Sequence, residues 1–148
     1  MSQARPFGRR GWKYAPPNGY LARAKSFAAA AAILNTHHTT DFTPYLFCCG
    51  QATELALKGL LLLNGVDEDT FKRRPGHNLA IAWRRAVKLG APLGADPPQW
   101  CDLLNATHDA PFDSRYPRAN VLMGLPAPQV VLDGINDLID TLGAELQK

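Results

Sequence analysis

Apolar residues recur along the chain at intervals of three and four, the period of a helix rather than of a strand. Tyr20, Ala24, Phe27, Ala31 and Leu34 share one face of a helix predicted over residues 19–35, with Asn18 as its candidate N-cap. An alanine run at 28–32 favours helix there and permits close contact with a neighbour. The spacing predicts a second helix from Thr43-Pro44 to residue 63, with proline in its first turn and Asn64-Gly65 at its end. That segment is apolar nearly all round, so it is expected at the centre of the molecule. Gln51, Glu54 and Lys58 interrupt it at i, i+3 and i+7, which places them on one stripe, and Glu54 and Lys58 have the favourable i, i+4 order.

Residues 66–76 read as a polar loop. A third helix is predicted over 78–89 and ended by Gly90, with Leu79, Ala82, Trp83 and Ala86 facing inward and Arg84, Arg85 and Lys88 facing out. A fourth, over 97–109, uses Trp100, Leu103, Leu104 and Thr107. After a break containing Pro111 and Pro117, the last helix, over 128–146, buries Val131, Ile135, Leu138, Leu142 and Leu146 and turns Asp133, Asp137 and Asp140 to the polar side. No segment alternates with period two. The expected fold is all-α, an up-and-down bundle of four to five helices over residues 18–148. Residues 1–17 hold Pro6, Gly8, Gly11, Pro16 and Pro17 and are expected to form an irregular arm. Its Phe7, Trp12 and Tyr14 alternate with basic residues, a mixture that either stacks on bases or packs on the body of the domain.

Composition narrows the class. The chain has 148 residues, enough for one domain, and its 46% hydrophobic content supports a core. Three cysteines, Cys48, Cys49 and Cys101, make a poor disulfide framework, and no Cys-x-x-Cys spacing exists, so a reducing, cytoplasmic setting is expected. The most apolar stretch, 45–63, carries Gln51, Glu54 and Lys58, so no membrane span is expected. No leader is expected either, because no apolar segment closely follows the early arginines.

The net charge of +3 conceals segregation. Residues 1–25 and 72–88 each carry six bases and no acid, whereas 96–145 hold eight acids against Arg115 and Arg118. Such separation fits an anionic partner, electrostatic complementarity within a dimer, or solvated faces.

Familiar catalytic signatures are absent: no Walker or Rossmann glycine pattern, no His-Glu-x-x-His, no Gly-x-Ser-x-Gly. His37 and His38 are adjacent and cannot share a helix face as metal pairs do, so no metal and no cofactor is expected. Cys48 and Cys49 fall within the apolar helix and read as inert core thiols. Three features remain. Glu54 and Lys58 on an apolar helix are either a structural ion pair, a polar seam at a dimer interface, or part of a site. Arg73-Arg74-Pro75-Gly76-His77-Asn78 leads into a helix whose N-terminus, capped by His77 or Asn78, suits an anion or is simply a capped end. Asp113-Ser114-Arg115-Tyr116-Pro117-Arg118 offers a guanidinium fork and a stacking ring, or an Arg–Asp clamp within the loop.

Taken in order, Gly50-Gln51-Ala52-Thr53-Glu54-Leu55-Ala56-Leu57-Lys58-Gly59-Leu60-Leu61, then Gly65, then Gly76-His77-Asn78-Leu79, then Ser114-Arg115-Tyr116-Pro117, the chain resembles the HEPN domain family over about residues 20–146. The resemblance implies a helical bundle that dimerises and works beside a minimal nucleotidyltransferase, many such pairs being toxin–antitoxin or anti-phage systems. It implies a ligand-binding set of Glu54, Lys58, His77, Arg115 and Tyr116 for a nucleotide, RNA or a nucleotidyltransferase partner. Some members are metal-independent endoribonucleases that use an Arg followed, after four to six residues, by a His. No arginine here precedes a histidine at that spacing: Arg73 and Arg74 stand too close to His77, and Lys72 lacks the fork. The expected function is therefore a non-catalytic binding module. The alternative is a divergent endoribonuclease with His77 or His108 as acid/base and Arg115 on the phosphate.

Overall fold

A computed structural model describes residues 15–37, 41–109 and 127–148. The helices are α1 (Pro17–Thr36), α2 (Thr43–Leu63), α3 (Glu68–Arg73), α4 (Leu79–Lys88), α5 (Gln99–His108) and α6 (Pro128–Glu145). Among the described residues there is no strand, in agreement with the all-α reading. The expected arm lies, for residues 1–14, outside the described residues.

Two details differ from the sequence reading. Asn18 is not the cap of α1. The helix starts at Pro17, whose fixed φ suits the first helical position, and Asn18 lies inside the first turn. The polar loop over 66–76 contains a further short helix, α3. Asp67 caps it by accepting the Thr70 N–H at 2.7 Å. Glu68 and Asp69 occupy its first turn and Lys72 and Arg73 its last, each complementing the helix dipole, and Phe71 is buried beneath it.

The ends of α2 and α4 follow glycine rules visible in the sequence. Gly65 (φ +85°) and Gly90 (φ +102°) take the left-handed conformation. Behind them Val66 N–H reaches the Leu61 carbonyl and Ala91 N–H reaches that of Ala86, a Schellman closure at each helix.

α2 is the central helix, as its apolar circumference predicts. It is long and apolar enough to cross a membrane by length and composition, yet 67% of its most apolar window is covered by the rest of the chain. α1 packs antiparallel to it: Tyr20 lies beside Gly59 and the Phe27 ring meets Phe47 edge to face at 6.3 Å. α6 runs parallel to α2, since the Tyr45 hydroxyl donates to the Pro128 carbonyl and Leu142 lies against Gly59. The remaining side of α2 is covered by α4 and α5. Those two helices are joined by the edge-to-face pair Trp83–Trp100 and by two end contacts. Leu79 N–H donates to Asn105 Oδ1 at 2.7 Å, and Asn78 Nδ2 donates to Asp109 Oδ2 at 2.8 Å. The start of α4 is thereby pinned to the end of α5, both over the middle of α2.

Candidate functional site

This junction builds a polar cluster inside an apolar bundle. Glu54 projects from α2 and is 6% exposed. Its Oε1 accepts from Lys58 Nζ one helical turn later, at 2.5 Å. Its Oε2 lies 2.5 Å from Nε2 of His108, the last residue of α5, and 3.1 Å from Nδ1 of His77, which immediately precedes the Asn78 cap of α4. Asn78, rather than His77, caps α4, by accepting the Ile81 N–H at 2.9 Å. His77 is thus released to face Glu54. The two imidazoles meet edge to face at 6.2 Å.

Electrostatics fixes the protons. Burial alone would raise the Glu54 carboxyl, but the His108 hydrogen bond and the charge of Lys58 outweigh it and hold the group down to about 2. At neutral pH the carboxylate is therefore an acceptor only. Both imidazole atoms that touch it must carry hydrogen: Nε2–H on His108 and Nδ1–H on His77. His108 is fully buried, and its Nδ1 has no hydrogen-bond partner among the described residues. That nitrogen lies against the backbone of Gly50, where a Cβ would stand 2.2 Å away. Lys58, 8% exposed, completes a neutral pair with Glu54 and lies 5.2 Å from the centre of the Phe71 ring, within cation–π range.

Only one member of the cluster meets the surface. The His77 side chain is 39% exposed, whereas those of Glu54, Lys58 and His108 are 8%, 10% and 0% exposed. Arg73 and Arg74, just before it, are exposed. Arg85 Nη1 donates to the Arg74 carbonyl, holding the connecting segment against α4, and Arg84 pairs with Asp96.

The sequence-derived site residues thus separate into groups. Glu54, Lys58 and His77 come together. His108, a candidate acid/base, joins them from beneath and reaches no bulky substrate while the helices stay packed. Arg115 and Tyr116 lie outside the described residues, as does His38. His37 sits exposed at the end of α1, its Nδ1 3.0 Å from the Ile33 carbonyl. Gln51 is half-buried and is not among the partners of Glu54. Of the two thiols expected to be inert, Cys49 is buried and pushed up to about 12, whereas Cys48 is only half-buried, though burial raises it too; burial likewise pushes Cys101 up to about 12. Sequence reasoning missed Asn105, which orients the α4 entrance, and the role of Gly50. Neither carries a local signal, because each acts on a residue more than twenty positions away.

A family model described as the HEPN domain matches residues 18–138. No curated protein and no solved structure matches the chain.

Proposed function

Since the chain belongs to the HEPN domain family, which supports a nucleotide- or RNA-related module, we propose that it is a cytoplasmic homodimeric binding module without catalysis of its own. Its ligand is the phosphate of a nucleotide or RNA, taken up around His77, and its setting is a toxin–antitoxin or defence pair with a nucleotidyltransferase. The observation that carries this reading is the position of His77. Its ring is held by a buried carboxylate, reaches the surface, and follows the exposed Arg73 and Arg74 by three to four positions in the chain. When the ring carries hydrogen on both nitrogens, Nδ1–H stays on Glu54 and Nε2–H is available to an anion, with the two guanidinium groups adding positive charge. Glu54 and Lys58 neutralise each other below and serve to orient His77 rather than to touch the ligand. Arg115 and Tyr116 belong to the same proposed set through the family pattern.

The test is a titration of the full chain with labelled single-stranded RNA and with nucleotides at two salt concentrations. Saturable, salt-sensitive binding is expected, weakened about tenfold or more by His77→Ala and by Arg115→Ala. Absence of binding, or binding indifferent to both substitutions, contradicts the reading. The endoribonuclease alternative is checked in the same samples, with EDTA present. RNA cleavage lost on Arg115→Ala would replace the binding module by an enzyme.

A further inference from the structure

We propose that Glu54, His77 and His108 form a binding site for one divalent transition-metal ion of the zinc class. The inference goes beyond the binding-module reading and does not depend on it.

The donor set is a carboxylate oxygen and two imidazole nitrogens, and these atoms all lie within 4.8 Å of one another. Two imidazoles and one carboxylate suit a borderline cation, and three protein ligands leave a fourth position open. The three donors come from three separate segments: the middle of α2, the entrance to α4 and the end of α5. The Asn105–Leu79 and Asn78–Asp109 bonds fix the last two against each other before any ion arrives. His108 meets Oε2 and Lys58 meets Oε1, while His77 Nδ1 straddles the carboxylate at 3.1 Å from Oε2 and 3.2 Å from Oε1. The ion approaches from the side of His77, where the cluster reaches the surface.

Two features set the strength of the site. In metal-free protein the hydrogens on His77 Nδ1 and His108 Nε2 fill the place of the cation, so the fold does not require it. To bind, each ring must free the nitrogen that faces Glu54 and carry its hydrogen on the other nitrogen. For His108 that atom is Nδ1, which is buried with no acceptor among the described residues, and this opposes binding. The ammonium of Lys58 also opposes it by repulsion at close range. The site is consequently one that loads and unloads, unlike a structural zinc centre.

The experiment titrates chelator-treated full-length protein with Zn2+ in competition with a chromophoric chelator, and with Co2+ followed by visible absorption. The expected result is one equivalent per chain and intense d–d bands of low-coordinate Co2+. His77→Ala, which removes the most exposed of the three ligands, should weaken uptake at least about tenfold in protein whose circular dichroism shows it folded. Lys58→Met should tighten it by about tenfold or more, because it removes the neighbouring cation. No uptake, uptake unchanged in His77→Ala, or weaker uptake in a folded Lys58→Met protein overturns the proposal.

Discussion

Glu54→Gln should lower the unfolding free energy of the metal-free protein by about 3–5 kcal/mol, the usual cost of stripping one partner from a buried ion pair. The substitution keeps shape and volume, so packing is not the cause. It leaves the ammonium of Lys58, 8% exposed, without its counter-charge. It also turns an acceptor-only carboxylate, which three donor groups address, into an amide with donors of its own. The amide NH2 then faces either the Lys58 ammonium or the imidazoles, so a donor loses its acceptor or a ring must shift its hydrogen. Urea denaturation followed by circular dichroism measures the loss. Acid gives a second readout on the wild type. The folded carboxyl is held at about 2, below its ordinary 4.5. A depressed carboxyl stabilises the fold above its unfolded value and loses that contribution as pH falls toward the folded one. The wild type should therefore lose stability between about pH 5 and 2 through this group, and Glu54→Gln should lack that component. Equal stability of the two proteins at neutral pH would mean that Glu54 and Lys58 are not a buried pair.

The second large effect is steric. Gly50→Ala should destabilise the protein by about 2–3 kcal/mol, although alanine is ordinarily the better helix residue. The added Cβ would stand 2.2 Å from Nδ1 and 2.7 Å from Cγ of His108. The ring is rigid, fully buried and tied to Glu54, so it cannot swing aside without breaking the cluster. A midpoint lower by roughly 5–10 °C in thermal unfolding is expected for a chain of this size. Gly59→Ala supplies the contrast. Its Cβ would meet Leu142 Cδ2 at 2.6 Å, but that contact is the end of a side chain that can change rotamer, so the loss should be smaller. If Gly59→Ala proves the more damaging of the two, His108 does not press on Gly50 as described.

These two sites show what a sequence can and cannot reveal here. The stripe of Glu54 and Lys58 on an apolar helix is legible, because both residues belong to one helix and its period is known. The major helices are legible for the same reason, and so are the closures at Gly65 and Gly90, where local chemistry decides the end. Helix α3 escaped because six residues are too few to show a period, and its local signs are only the Asp67 cap and the acids and bases at its two ends. The meeting of Glu54 with His77 and His108 is not legible. It joins residues 23 and 54 positions apart and depends on how α4 and α5 settle over α2. The same holds for the metal-ligand set. Spacing rules detect ligands that share one helix or turn, and this set shares none. Gly50 reads in sequence as a weak point of a helix, whereas in the fold it is the gap that admits an imidazole.

Everything proposed for the site rests on Glu54 accepting from both imidazoles. The most direct measurement is a long-range proton–nitrogen correlation spectrum of the histidine rings in chelator-treated protein near neutral pH, assigned with His77→Ala and Glu54→Gln. The expected spectrum places hydrogen on Nε2 of His108, slow to exchange and shifted downfield by the carboxylate, and on Nδ1 of His77, with both signals displaced in Glu54→Gln. A His108 ring bare at Nε2, or rings unaltered by Glu54→Gln, would contradict the cluster and the functions built on it.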